Sequence, residues 1–268
     1  MALTRAGALR LHTQWLPGRG DGPRSDGPAV VLLHGLVMDN LSSFYSTLAG
    51  PLSRAGHPVL LYDQRGHGRS ERPPTGYDRD TAVADLAALL AVLGLDHRPV
   101  HLIGNSYGGA LALHTALVRP DLVASLVLIE AQLTGDWIEE MTDTLSVAAL
   151  GLEDGRLRAQ LAALGQRKEA RLTAGADALL NHTTLIEDIA AGRAFTARDF
   201  ARLDRPVLAV YGEHSELLPG ARELAAQAAD CELCVLPDVG HTVLKDATAG
   251  LRDAVLARLR GRVGAVAG

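Results

Sequence analysis

The sequence predicts an α/β protein, with a mostly parallel sheet flanked by helices and a helical cap inserted late in the chain. Two observations carry this expectation. Short apolar runs alternate with helical segments, and the alternation stops between 131 and 205 before resuming at Val207. The runs lie at 29–33, 59–62, 100–103, 126–129, 207–211 and 233–236. They are nearly continuous rather than period-two, as strands covered on both faces should be.

Ahead of them, Leu9 to Leu16 alternates apolar and polar residues, which suits an antiparallel edge strand or hairpin. Residues 17–28, rich in Gly, Pro, Arg and Asp, read as a loop. A helix is expected over 81–94, capped near Thr81 and stopped by Gly94, with Val83, Leu86, Leu90 and Leu93 as its buried stripe. Another follows over 107–118 and ends at Arg119-Pro120. From 131 to 205 helical stretches are punctuated by Gly135, Gly151, Gly155, Gly165, Gly175 and Gly192. The expected organisation is a core of 1–130 and 206–268 around a cap of 131–205, with a frayed tail after Arg260.

Composition narrows the function. The chain has 268 residues, 47% apolar and 21% charged, which excludes global disorder. With 26 basic against 31 acidic residues, its net charge of −5 disfavours nucleic acid or an anionic membrane as a partner. Aromatic content of 4% disfavours a base-stacking platform. The longest uncharged stretch, 99–118, is interrupted by Gly104, Asn105, Ser106, Gly108 and Gly109, so it does not read as a membrane span. Arg5 and Arg10 leave no apolar run for a secretory signal. Cys231 and Cys234 form a C-x-x-C pair with no second pair; buried reduced thiols are expected rather than a redox or zinc site. Together these features suggest a soluble, cytoplasmic protein.

The sharpest chemical signal is Gly104-Asn105-Ser106-Tyr107-Gly108, placed directly after a strand and before a helix. In that context it reads as a nucleophile elbow, a tight turn that lifts the Ser106 hydroxyl to a helix N-terminus. Acyl transfer also needs two backbone N–H groups aimed at the oxyanion. Tyr107, just after the serine, should supply one, and Leu36, after His34-Gly35, the other. His34 itself reads as a loop-packing residue. In the loop Asp63-Gln-Arg-Gly-His-Gly-Arg-Ser70 a G-x-G occurs without the third glycine or a following helix, so nucleotide binding is not expected. Its charges should brace the loop by hydrogen bonding.

These motifs, with a late Gly240-His241, resemble in content and order the α/β-hydrolase-fold superfamily over essentially the whole chain. The resemblance implies that His241 is the general base. It departs from the commonest pattern at the acid, because the usual position after the strand at 207–211 holds Ser215. Some members carry the acid after the preceding strand, and here that strand ends in Glu130. Glu130 is therefore the expected acid, with Glu216, or a dyad without an acid, as alternatives. The expected activity is serine hydrolysis of a carboxylic ester or thioester through an acyl-enzyme on Ser106. Two other readings remain open: carbon–carbon bond hydrolysis, and a ligand-binding relative without turnover.

In the cap, Trp137, Met141 and Leu145 recur at helical spacing with Ile138, Ala148 and Leu152; they are either core or the wall of an apolar acyl pocket. The chemistry calls for no cofactor and no metal. The expected partner is a small-molecule acyl substrate, free or presented by an acyl carrier protein; Arg65, Arg69, Arg72, Arg79 and the charged run 167–171 are either a carrier-docking face or a solvated one. The composition, heavy in Ala, Arg, Leu and Gly, points to a GC-rich bacterial source, where discrete hydrolases of this kind often resemble polyketide chain-release thioesterases.

Overall fold

The computed structural model describes residues 2–19, 27–153 and 155–261; the middle of the loop expected at 17–28 and the tail from 262 lie outside them. The strands are β1 (Ala2–Ala6), β2 (Leu9–Leu16), β3 (Val30–Leu33), β4 (Val59–Tyr62), β5 (Val100–Asn105), β6 (Val123–Ile129), β7 (Val207–Gly212) and β8 (Cys231–Leu236). Among the described residues they form one eight-stranded sheet in the order β1-β2-β4-β3-β5-β6-β7-β8. β2 pairs antiparallel with β1 and β4, and every pairing from β4 to β8 is parallel.

β2 occupies its expected range, but it is the inner strand of a hairpin, and β1 forms the sheet edge. Several strands outrun their apolar segments. β5 continues through Gly104-Asn105, while β6 begins at Val123 and β8 at Cys231. The ladder is made by backbone groups, so it does not stop where the apolar side chains stop.

The first helical stretch is α1 (Ser42–Phe44), a π-helical turn over Tyr45–Ala49, and α2 (Gly50–Arg54). Helix α3 (Arg79–Val92) begins two residues before the expected cap. Asp78, not Thr81, closes its N-terminus: the Asp78 carboxylate accepts the Thr81 N–H at 2.8 Å and the Thr81 hydroxyl at 2.7 Å. α4 (Tyr107–Val118) has its expected bounds. Between β6 and β7 come α5 (Asp136–Leu152), α6 (Arg156–Ala163), α7 (Arg167–Leu180), α8 (Leu185–Ala190) and α9 (Ala197–Ala201). Gly151 and Gly175 lie inside α5 and α7 rather than between helices. The chain then adds α10 (Leu218–Gln227), α11 (Val243–Asp246) and α12 (Thr248–Leu259).

Neighbouring residues of β5 show how the core is divided. Leu102 packs with Leu86, Leu111 and Tyr211 on one face of the sheet; Ile103 packs with Phe44, Leu48 and Leu251 on the other. A third apolar cluster joins Tyr77 to Leu145 of α5, Leu179 and Leu180 of α7 and Ile189 of α8. Cys231 and Cys234 are free thiols on the edge strand β8, half-buried rather than fully buried. Burial still pushes the Cys231 thiol up to about 11, away from the reactive thiolate. Among the described residues no helix is long and apolar enough to cross a membrane.

Loss of an N-cap acceptor costs about 1 kcal/mol. Asp78→Ala should therefore lower Tm by about 2–4 °C in a chain of this size. Thr81→Ala, which leaves the Asp78 acceptor in place, should cost clearly less in the same thermal melt.

Candidate active site

The strand–turn–helix at 104–108 is steric in origin. Ser106 adopts φ 54°, ψ −120°, a region that non-glycine residues rarely occupy. A Cβ at Gly104 would lie 2.1 Å from the Gly108 carbonyl oxygen, and one at Gly108 would lie 2.1 Å from the Leu33 carbonyl oxygen. Only glycine fits at either position. The Ser106 N–H bonds the Ile129 carbonyl at 2.8 Å, which ties the turn to the end of β6. As the first residue of α4, Tyr107 has an N–H without an intrahelical acceptor.

The loop carrying Leu36 lies against this turn: a Cβ at Gly35 would sit 3.6 Å from Ser106 Cβ. Five polar contacts set its course. The Asp39 carboxylate accepts the Gly35 N–H at 2.7 Å. Buried His34 turns Nδ1 to the Gly35 carbonyl at 2.7 Å and accepts the Gln64 N–H on Nε2 at 2.9 Å. His67 turns Nδ1 to the Arg65 carbonyl and accepts the Val37 N–H on Nε2 at 2.9 Å. Burial lowers the His67 pKa to about 3, so it stays neutral and keeps this acceptor. His34 thus packs a loop, as its sequence context suggests, whereas His67 fixes the neighbouring backbone in a way the sequence did not signal.

The bracing expected for 63–70 is also present. Asp63 accepts the Leu41 and Arg69 N–H groups at 2.8 and 2.9 Å, and Arg65 clamps Asp85 through two bonds of 2.8 Å.

At the end of β6, Glu130 is fully buried with φ 49°. Its carboxylate accepts the Gly212 N–H at 2.6 Å and the Ser215 hydroxyl at 2.5 Å, and it lies 3.2 Å from His241 Nδ1. A carboxylate in its ionised form accepts and does not donate, so facing it Nδ1 is the donor, and in the neutral imidazole Nε2 then carries the lone pair. Glu216 is exposed and stands 3.9 Å from the same Nδ1. The Glu130 hydrogen bond, with a lesser contribution from Glu216, raises the His241 pKa above its ordinary value against the opposing effect of burial. Glu130 and His241 are thus brought together, with Glu216 at the rim. Ser215 had no expected role beyond displacing the usual acid, yet its hydroxyl completes the shell around Glu130.

Residues 28–175, more than half of the chain, match the alpha/beta hydrolase fold family. The chain belongs to that family. A putative carbamate hydrolase of Variovorax paradoxus is 43% identical over 112 residues, 41% of this chain and 40% of that protein. A 2-(acetamidomethylene)succinate hydrolase of Mesorhizobium japonicum is 28% identical over 208 residues, 77% of this chain and 62% of that protein. The chain thus spans less than two thirds of the length of either curated relative. In fold it is similar to an alpha/beta hydrolase from a deep-sea metagenome library, with TM-score 0.75, 20% identity and 97% of both chains covered.

In this member of the family, a cavity of about 380 Å³ lies beside the elbow. It is walled by Tyr107, Ala110 and His114 of α4, the start of α3, the segment 132–138 and residues 188–195. Trp137 lies on its wall. Met141 and Leu145 do not; they pack in the third apolar cluster, which also takes in Leu36 and Val37. Exposed Glu213, His214 and Asp238 bring ligand atoms within 4.8 Å of one another, a grouping that exposed acidic residues commonly form without an ion.

The contacts of His241 predict its titration. Followed by NMR, the imidazole should titrate above the ordinary histidine value of about 6.5. Glu130→Gln should lower that pKa, and Glu216→Gln should lower it by less. Equal shifts from the two variants would contradict the Glu130 pairing.

Proposed function

We propose that the protein is a serine hydrolase that cleaves a carboxylic ester or thioester through an acyl-enzyme on Ser106. The pairing of buried Glu130 with half-buried His241, at the sheet edge that carries the strained Ser106 turn, is the observation that supports this reading best. His241 Nε2 takes the Ser106 proton as Oγ attacks the acyl carbon, and Glu130 holds the tautomer and stabilises the imidazolium. The Leu36 and Tyr107 N–H groups receive the tetrahedral oxyanion. The imidazolium then protonates the leaving alcohol or thiol. Water, deprotonated by the same nitrogen, releases the acid and restores Ser106. No step uses a cofactor.

The test is turnover of p-nitrophenyl esters and N-acetylcysteamine thioesters by the purified protein, with a vinylogous diketone as the carbon–carbon control. Ester or thioester cleavage with an inert diketone is expected; the reverse would favour a carbon–carbon hydrolase. Ser106→Ala should lower kcat by about 10³-fold or more while the fold persists. A folded Ser106→Ala variant keeping a tenth of wild-type turnover would refute the assignment. Glu130→Gln should lower kcat by about 10²- to 10⁴-fold, and Glu216→Gln by less than about tenfold. Because the base must be neutral, kcat/KM should fall on the acid side of a pKa above the ordinary histidine value. Glu130→Gln should move that limb to lower pH.

A further inference from the structure

The charges around the cavity beside the elbow are not equally committed. Asp78 is occupied in capping α3. Asp80 accepts from His114 Nε2 at 2.6 Å. Asp188 accepts the Tyr77 N–H at 2.7 Å and the Thr184 hydroxyl at 2.6 Å. Arg193 is held by Asp199 through two bonds of 2.7 and 3.0 Å.

Arg79 differs. Its guanidinium lies 4.6 Å over the Phe195 ring and donates to the Arg193 carbonyl, and among the described residues no carboxylate is within ion-pairing distance. Asp80 and Asp199 act on it only from beyond contact, and burial holds its pKa below the usual arginine value. A partly desolvated cation on a cavity wall lacks the partner that such a group ordinarily finds. The same wall carries two buried polar atoms with no hydrogen-bond partner in the protein, Trp137 Nε1 and Gln132 Oε1. Trp137 Nε1 is a donor.

Position links this wall to the reaction. Ser106 and His241 are not among the lining residues, but Tyr107, which follows Ser106 directly, lines the cavity together with Ala110 and His114 further along α4. At 1.5 Å per residue those positions lie about 6 and 12 Å along the helix from the serine. A group bound there sits several bonds from an acyl carbon at Ser106.

Resting on the hydrolase reading, we propose that the substrate carries a carboxylate remote from its scissile bond and that Arg79 receives it. The ligand class is then an ω-carboxyacyl ester or thioester, whose flexible middle lies against Ala110, Leu133 and Ile138. A guanidinium–carboxylate contact in a half-buried site should favour the acid over a neutral isostere by about 10- to 100-fold.

The experiment compares p-nitrophenyl esters of ω-carboxyacyl chains of four to eight carbons with their ω-carboxamide counterparts. In the wild type the kcat/KM ratio of acid to amide should exceed about tenfold at one chain length or more. Arg79→Gln should bring it near one, and Arg79→Lys should keep part of it. A wild-type ratio at or below one, or a ratio unchanged in Arg79→Gln, would overturn the proposal. Calorimetric titration of Ser106→Ala protein with glutarate and adipate reads the same contact without turnover. If no ester is cleaved but a dicarboxylate binds and Arg79→Gln abolishes the binding, the catalytic reading falls and the Arg79 site stands. If esters are cleaved regardless of remote charge and no dicarboxylate binds, the Arg79 site falls and the catalytic reading stands.

Discussion

A carboxylate removed from water at the end of a central strand must be met by donors, because an uncompensated buried charge costs several kcal/mol. At Glu130 the donors come from three places: the Gly212 N–H ending β7, the Ser215 hydroxyl in the loop beyond, and His241 after β8. Much else at this sheet edge is tied to that requirement. The parallel register that sets Ile129 opposite Val210 brings Gly212 to the carboxylate, and the Ser106 N–H is anchored on the carbonyl of Ile129. Glu130 and Ser106 therefore share one piece of β6 backbone. Both hold a left-handed φ, a strain that the surrounding hydrogen bonds and glycine contacts keep in place.

The parts of this arrangement visible in the sequence are those with local causes. The elbow is legible because Gly104 and Gly108 are demanded by backbone contacts within a few residues or to the adjacent strand. β2 is legible because it alternates, and α4 because Pro120 stops it. Strand ends are less so, since nothing in the side chains of Gly104 or Asn105 reports that their backbone still pairs with β6. The start of α3 is ambiguous in the sequence because Asp78 and Thr81 are both good caps, and the turn uses the carboxylate as acceptor and the threonine as a second donor. β1 is nearly silent: its residues are mostly exposed, and only Gly7, with φ 59° at the hairpin turn, marks it.

What the sequence hid has distant causes. His67 holds the Val37 N–H from thirty positions away, and no spacing rule connects the two. The apolar repeat of α5 likewise cannot say which turns face a cavity. Trp137 at its start touches both the cavity wall and the apolar cluster of α7 and α8, while Met141 and Leu145, one and two turns on, meet the cluster but do not line the cavity. Helical periodicity fixes a face but not what lies across from it.

The exchange of acid and hydroxyl between β6 and β7 shows why Ser215 and Glu130 must be read together. With the carboxylate on β6, the loop after β7 is left to supply neutral donors, and Ser215 does so at 2.5 Å. An aspartate at that place would set two carboxylates in contact inside a buried shell, and one of them would have to take up a proton. The histidine would then face a pair sharing one negative charge, and its tautomer would be less firmly held. A serine at 215 avoids that conflict and adds a hydrogen bond. Its presence where an acid usually stands is thus the counterpart of Glu130: the hydroxyl lets a buried glutamate on the neighbouring strand be fully satisfied.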